Sequence, residues 1–362
     1  MHRVLYSLLW TMLLYTPGKA QQAFHIPRIA SLANSVTDSL PDADCYFIGQ
    51  AHLNKLNTSL ELELLLQLHA RHGVQFEILE YSHSAAIIMN EYLETGKEDL
   101  LKSLDSNGNF SLLRGVRQYN QALTTEKRIR FFGIDFEGRA NNRYLKKAAA
   151  IICHNKQLNN NTRLGQYLAS MQLPDADIPQ LLTQIKQYLS VAADTAASLL
   201  GNYYIDLLLI TQAQYGFSPR RDANMFMNFQ TLYKTLSTYT PNPRFFGSFG
   251  YAHIQPGNTQ SISYRLQYSN SSPVRGKVPL IGIQYFRSVT GESYQTTIGN
   301  LSALCNKSAL RQLEERVSDN SPEVLIYGKK NLSLLPCKPG LQTFSAVLLV
   351  YNYPGSRSYI FE

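Results

Sequence analysis

The chain has 362 residues, of which 44% are hydrophobic and 17% are charged, and its formal net charge is +8 at pH 7. This composition is typical of a globular protein and argues against a chain that is disordered over most of its length. The basic residues are scattered and form no stripe or cluster, which argues against nucleic acid as a partner.

Residues 1–20 have the pattern of a signal peptide. A short basic start is followed by an apolar core over residues 4–15 and a small-residue cleavage site ending at Ala20. The apolar core is shorter than the roughly 20 residues that a helix needs to cross a bilayer, so we expect no stable membrane anchor. The sequence therefore predicts a secreted or periplasmic protein, cleaved near Ala20. In such an oxidising compartment Cys305 and Cys337 are candidates for a disulfide.

A strand–helix–strand unit spans residues 45–80. The apolar runs Cys45–Ile48 and Val74–Leu79 predict two strands, and leucines at helical spacing predict a helix between them. Thr58 and Glu61 have the spacing of a capping box, so we expect this helix to begin at Thr58. Strands joined by a crossover helix lie parallel, with their carboxyl ends at one edge of the sheet.

The rest of the chain alternates between helical and strand patterns. Residues 21–41 predict a helix and a loop, and residues 81–92 and 97–125 predict further helices. Additional strands are predicted at residues 128–134, 243–249, 280–286, 324–327 and 344–351. Residues 142–217 show no strand signal and predict a helical insertion or cap over the sheet edge. We therefore predict one α/β domain over residues 21–362, with a mostly parallel or mixed central sheet flanked by helices.

Polar side chains follow four of the predicted strands within a few residues of each strand end. They are His52, Glu80, Asp135 and His253. Open α/β sheets bind ligands at the carboxyl ends of their strands, so we expect these side chains to converge there. Arg221 lies in the first turn of a helix that Ser218 and Pro219 are predicted to begin. Because a cation there meets the positive end of the helix dipole, we expect Arg221 to have a carboxylate partner.

The sequence resembles the erythromycin esterase-like family through most of the chain that follows the signal peptide. The segments that carry the resemblance are Ile48–His52, Phe76–Glu80, Asn90–Gly96, Phe132–Asp135, Arg221–Asn228 and Tyr251–Ile254. Each segment is weak by itself, but their order and spacing together are fairly specific. The resemblance implies that water hydrolyses an ester or lactone of a small molecule without a metal or other cofactor.

The resemblance also implies a role for each matching residue. His52 would be the general base that activates water, and Glu80 would orient it or stabilise its charge. His253 would bind substrate or stabilise the oxyanion, and Arg221 would be the cation near the site. The residues expected to contact the substrate are Gln50, Asp135 and Tyr251. A neutral imidazole, with an ordinary pKa of about 6.5, can accept a proton at neutral pH, as this mechanism requires.

Gln50 departs from the family pattern, which has a glutamate at this position and one more residue before the histidine. An amide cannot act as a base or supply negative charge, so a non-catalytic binding protein on the same fold is an alternative. The shortened segment also resembles TraB/ChaN-type proteins, which include metal-dependent and haem-binding members. A metal held by His52, Glu80 and His253 is therefore a further alternative.

Overall fold

The computed structural model of the chain describes residues 23–25, 29–51, 55–105, 110–158, 161–255, 257–286, 288–290, 294–296, 323–328 and 344–351. The predicted signal peptide, His52, Cys305 and Cys337 lie outside these residues. In the described ranges, no helix is long and apolar enough to cross a membrane.

The described residues form ten strands and twelve α-helices. The strands are β1 (Ala23–His25), β2 (Cys45–Gln50), β3 (Phe76–Ser82), β4 (Arg130–Asp135), β5 (Phe245–Gly250), β6 (Leu280–Phe286), β7 (Ser288–Thr290), β8 (Tyr294–Thr296), β9 (Glu323–Gly328) and β10 (Ala346–Tyr351). The helices are α1 (Ile29–Ser39), α2 (Lys55–His72), α3 (His83–Thr95), α4 (Glu98–Leu104), α5 (Ser111–Asn120), α6 (Arg143–Asn155), α7 (Arg163–Met171), α8 (Ile178–Val191), α9 (Ala193–Leu200), α10 (Tyr203–Gln212), α11 (Arg221–Leu236) and α12 (Ile262–Tyr268).

Eight of the strands form one open sheet, in the order β1-β9-β10-β6-β2-β5-β3-β4. The six strands from β10 to β4 are parallel, whereas β9 pairs antiparallel with β10 and β1 pairs antiparallel with β9. Strands β7 and β8 form a separate antiparallel pair. The predicted α/β fold with a mostly parallel or mixed sheet is confirmed, and the carboxyl ends of six strands share one edge.

Helices cover both faces of the sheet, and each face has its own apolar core. Alternate residues of β2 show the division, because Tyr46 and Ile48 belong to one core and Phe47 belongs to the other. Helix α2 adds a row of buried leucines, including Leu64, to the first core. Helix α11 adds buried side chains, including Phe229, to the second core. Burial on both faces explains the continuous apolar runs from which the strands were predicted.

Two predicted helix starts are wrong. Helix α2 begins at Lys55, so Thr58 lies inside the helix and the capping box does not form. The Glu61 side chain is only 2% exposed, since it turns into the core instead of back along the helix. Helix α11 begins at Arg221, and the Ser218 hydroxyl accepts a hydrogen bond from the Arg220 N–H at 3.1 Å in the turn before it.

The predicted helical region between residues 142 and 217 contains five helices, α6 to α10. Their apolar side chains extend the core that α2 and α3 share. The junction of α9 and α10 lines a cleft of about 750 Å³ together with the first residues of β3 and β4. This cleft therefore lies at the amino ends of those strands, opposite the edge where the sequence places the site.

Strand β3 continues past the predicted end at Leu79, and its register with β4 shifts between Leu79 and Ser82. Glu80 lies in this irregular stretch. A Cβ on Gly133, in the neighbouring strand, would stand 2.3 Å from the backbone oxygen of Ser82. Gly133 thus allows the two backbones to approach closely where β3 carries Glu80.

We expect Gly133→Ala to lower the free energy of unfolding by at least about 2 kcal/mol, because backbone cannot yield to the added methyl as a flexible side chain can. Gly73→Ala is the comparison variant, since a Cβ there meets no atom within 4 Å but has a φ of +65°. Its expected cost is about 1 kcal/mol. Denaturant unfolding of both variants measures the difference, and equal costs would contradict the close-approach argument.

Candidate active site

Four predicted site residues come together at the carboxyl edge of the parallel strands. Glu80 lies in the irregular stretch of β3, and Asp135 is the last residue of β4. His253 lies in a single 3₁₀ turn, Tyr251–His253, directly after β5. Arg221 is the first residue of α11, which packs across β4. Glu80, Asp135 and His253 therefore converge as predicted, with Arg221 beside them. The fourth side chain of that prediction, His52, lies outside the described residues.

Arg221 is held by two carboxylates. Its Nε donates to Asp135 Oδ1 and Oδ2, at 3.0 Å each, and its Nη2 donates to Asp135 Oδ2 at 2.6 Å. The same Nη2 lies 2.7 Å from Glu80 Oε1. Such paired contacts fix the plane of the guanidinium as well as its position. The carboxylate partner that the helix position predicted for Arg221 is thus Asp135, with Glu80 as a second.

His253 lies between two carboxylates, Asp222 and again Glu80. Its Nδ1 is 2.8 Å from Asp222 Oδ1, and its Nε2 is 3.1 Å from Glu80 Oε1. Both carboxylates are themselves held in place. Asp222 Oδ2 accepts from the Ile262 N–H at 2.9 Å, and Glu80 Oε2 accepts from the Gly250 N–H at 2.9 Å. Both ring nitrogens therefore face acceptors, which favours the doubly protonated imidazolium.

The charges of this network stabilise one another. Burial alone would lower the pKa of His253, but Asp222 and Glu80 outweigh it and raise that pKa to about 9. Burial alone would raise the pKa of Glu80, yet His253, Arg221 and the Gly250 N–H hold it well below its usual range. Asp135 and Glu80 likewise raise the pKa of Arg221 against the effect of burial. At neutral pH the site therefore contains two fixed cations.

The protonation of His253 decides what Arg221 can do. Arg221 Nη1 lies 3.4 Å from His253 Nε2. When Nε2 carries a proton, both groups are donors, so this contact is not a hydrogen bond. Nη1 is then able to donate to an acceptor that approaches the carboxyl edge of the sheet. The Arg221 side chain is 21% exposed, compared with 1% for Asp135, so it is the accessible member of that pair.

The remaining predicted site residues have different outcomes. Gln50 ends β2, where its Nε2 donates to the Ser248 hydroxyl at 3.0 Å. Tyr251 is 5% exposed and its ring packs against Phe344, which leaves little of it for contact with a substrate. His52 lies outside the described residues, so its role as base stays a prediction.

Asp222 is the site residue that the sequence reasoning missed as a functional group. Its position directly after Arg221 gives no sign of this role, and its carboxylate contacts His253. Consecutive residues in the first turn of a helix point in different directions. Arg221 therefore contacts Asp135 at the end of β4, whereas Asp222 contacts His253 after β5. Asn228, further along α11, similarly donates to the Ile134 carbonyl at 2.8 Å and holds the helix against β4.

A metal site cannot be built from the described residues, because they contain no group of three histidine, cysteine, aspartate or glutamate side chains suited to hold an ion. The predicted metal alternative also requires His52, which is outside them.

The cleft at the opposite edge is lined by charges that pair locally. Arg128, for example, donates to Glu94 at 2.8 Å. We therefore place the candidate active site at the carboxyl edge.

Comparison with known proteins supports the fold. No protein-family model and no curated protein matches the chain. A crystal structure of a Bacillus cereus protein matches 91% of this chain and 93% of its own, with a TM-score of 0.61 and 12% identity. An erythromycin esterase variant, EreC, in its open conformation matches 94% of this chain and 99% of its own, with a TM-score of 0.58 and 12% identity.

A third solved structure, of a succinoglycan biosynthesis protein, matches 90% of this chain and 91% of its own, with a TM-score of 0.57 and 10% identity. Identities this low show a shared fold. The resemblance to the erythromycin esterase-like family that the sequence motifs indicate is therefore confirmed for the fold, since EreC is among the structural neighbours.

We expect Asp222→Asn to lower the pKa of His253 by about one unit or more, because an opposite charge in contact is lost while the hydrogen-bonding shape is kept. An NMR titration of the His253 imidazole measures this directly, with the unaltered protein titrating at about 9. Because the pKa of His253 is higher in the folded than in the unfolded protein, its protonation stabilises the folded state fully below about pH 6.5. This stability is lost as the pH rises through 9. Asp194→Asn, at an exposed position on α9, is the control, and an unchanged His253 titration in Asp222→Asn would refute the assignment.

Proposed function

We propose that the chain is a hydrolase that cleaves an ester or lactone of a small molecule by metal-free attack of water at the carboxyl edge of the sheet. The observation that carries the proposal is the network in which Glu80, Asp135 and Asp222 hold Arg221 and His253 as neighbouring cations. The fold shared with an erythromycin esterase supports the same reaction class.

The network suits the charge that develops when water attacks a carbonyl group. The carbonyl oxygen becomes an oxyanion, and donors already fixed in place stabilise it without having to reorganise. Arg221 Nη1 supplies such a donor, because Asp135 and Glu80 occupy the other side of the guanidinium. The His253 imidazolium adds a second positive charge about one hydrogen-bond length away.

The base must be a different group from His253. A histidine whose pKa is about 9 carries its proton at pH 7 and cannot accept another. We assign the base to His52, which follows the end of β2 beside β5 in the sheet. In this proposal His52 removes a proton from water, Arg221 and His253 stabilise the oxyanion, and Glu80 orients both cations.

We also propose that the chain is exported, with its first 20 residues acting as a signal peptide. The support is the basic start, the apolar core and the small residue at position 20.

We expect the purified mature protein to hydrolyse small activated esters in the presence of EDTA. Arg221→Lys keeps the charge but loses the planar fork, so kcat should fall by about 10²–10³. His52→Ala should lower kcat by about 10²–10⁴, the usual contribution of a positioned general base. Arg220→Lys, which changes the exposed neighbouring arginine, is the control and should leave the rate unaltered.

Steady-state kinetics would count against the proposal if Arg221→Lys and His52→Ala both retained full activity. Inactivity of the unaltered protein, followed by activity in Gln50→Glu, would instead favour the non-catalytic binding protein, since the substitution restores the carboxylate of the family pattern. Loss of activity on chelation would favour a metal site.

The export proposal predicts a mature amino terminus at or near Gln21 in a culture that expresses the full-length chain. Intact-mass measurement of the protein from the periplasm or medium locates the cleavage position. Deletion of residues 4–15 should retain the protein inside the cell, and recovery of uncleaved full-length protein outside it would contradict the proposal.

A further inference from the structure

A second polar cluster lies on the other face of the sheet, close to the strand ends that carry the candidate site. Ser248 of β5 is paired in register with Leu79 of β3 on one side and with Ile48 of β2 on the other. Leu79 and Ile48 belong to the core that helix α2 covers, so the Ser248 side chain points toward α2. Glu77 of β3 and Gln50 of β2 follow the same alternation, and they face α2 as well.

Helix α2 places Glu61 over these strand residues. The carboxyl groups of Glu61 and Glu77 are within hydrogen-bonding reach of each other, and the Ser248 hydroxyl reaches Glu61. The two glutamates are among the most buried charged residues described, with exposures of 2% and 0%. Of their four carboxyl oxygens, Glu61 Oε2 and both oxygens of Glu77 lack a donor within the described residues.

Two adjacent carboxylates without donors would be a costly arrangement in a protein core. The groups that act on the pair do not remove this cost. Within the described residues, Glu77 faces Glu61, and Glu61 faces Glu77 and the neutral Ser248 hydroxyl. Tyr285 of β6 is a further titratable neighbour of Glu61. None of these is a cation. One proton placed between the carboxyl groups supplies both a donor and the charge neutralisation that the cluster lacks.

The protons available in this cluster also determine which group donates in the two hydrogen bonds that link Glu61 to Ser248 and Ser248 to Gln50. A serine hydroxyl has one proton, and when Ser248 donates it to Glu61, its oxygen can only accept from another group. Gln50 must then present its Nε2, which lies 3.0 Å from the Ser248 hydroxyl. The opposite end of the amide, Oε1, is a buried acceptor without a donor in the described part of the chain.

We infer that Glu61 and Glu77 hold one proton between them and that this pair, acting through Ser248, fixes the orientation of the Gln50 amide at the end of β2. Glu61 and Glu77 are thus positioning residues for Gln50, whose oxygen is left as a buried acceptor at the end of β2. The shared proton stands independently of the proposed hydrolase activity, and only the consequence for catalysis rests on that activity.

The direction of the titration follows from burial. Burial raises the pKa of Glu61 to about 7, and burial together with the Glu61 charge raises the pKa of Glu77 well above its usual range. A carboxyl group with a raised pKa stabilises the fold below its unfolded value, and that stability is lost as the pH rises through the folded value. The pair should therefore make the protein progressively less stable as the pH rises from about 5.

Glu77→Gln tests the shared proton. Its amide donates permanently to Glu61, so the hydrogen bond remains while the titration of Glu77, and with it the shared proton, is removed. The folding equilibrium constant of the unaltered protein should fall with pH relative to the variant, by up to about tenfold per pH unit for one proton. His253 titrates identically in both proteins, so it cancels from the difference. Glu63→Gln, on the same helix but only partly buried, is the control and should follow the unaltered protein.

Equal pH dependence of unfolding in Glu77→Gln and in the unaltered protein would overturn the inference. Glu61→Gln is the reciprocal variant, because its amide donates to Glu77, and it should give the same result. Infrared spectroscopy of the unaltered protein at pH 7 needs no variant. It should show a buried protonated carboxyl band, and absence of that band would also overturn the inference.

The orientation of Gln50 is tested separately by NMR, through the signals of its side-chain NH₂ group. These signals are assigned by their loss in Gln50→Met. These signals should shift with the titration of the pair, and the shift should disappear in Glu77→Gln and in Ser248→Ala. A Gln50 signal that ignores pH, or that shifts equally in Ser248→Ala, would refute the link. Neither measurement uses ester hydrolysis, so failure of the proposed activity would leave both results interpretable.

Discussion

The ion pair between Arg221 and Asp135 is the contact on which the candidate site depends. The Asp135 side chain is 1% exposed, and a buried carboxylate is tolerated only when it is paired and hydrogen-bonded. Its three contacts with the guanidinium therefore fix the first turn of α11 against the end of β4. Because Asp222 is the next residue, the same constraint places its carboxylate against His253. This one ion pair thus positions Arg221 and Asp222 together, and Asp222 in turn contacts His253 from another part of the chain.

Strand β5 connects this network to the opposite face of the sheet. The Gly250 N–H donates to Glu80 on the side of the candidate site, and the Ser248 side chain, two residues earlier, contacts Glu61 on the α2 side. The pKa values of the carboxyl groups shift in opposite directions on the two faces of the sheet. Glu80 has cations as partners and stays ionised, whereas Glu61 and Glu77 meet no cation among the described residues and burial favours their protonation. A short length of strand separates the two environments.

The sequence predicts this architecture well where apolar runs define strands. Glu80, Asp135 and His253, which follow three of those strands, do lie together at one edge. The sequence predicts less where packing decides. Thr58 and Glu61 have the spacing of a capping box, but α2 begins earlier and Glu61 turns into the core. Asp222 reads as a simple neighbour of Arg221, because adjacent charges give no sign of which strand each one contacts. The buried pair is equally hidden, since Glu61 and Glu77 meet only after α2 packs on the sheet.

The amide at position 50 makes physical sense beside the buried pair. The Ser248 hydroxyl reaches Glu61, and a hydroxyl has a single proton to donate. A glutamate at position 50 would turn a second carboxylate toward that same hydroxyl, next to a pair that already lacks donors. This third carboxyl group would add a second negative charge and raise the cost of burial further, unless another proton entered the cluster. Gln50 avoids this cost by donating to Ser248 instead of competing for its proton. The departure from the family pattern at position 50 is thus compatible with the presence of two acidic residues in the layer beneath it.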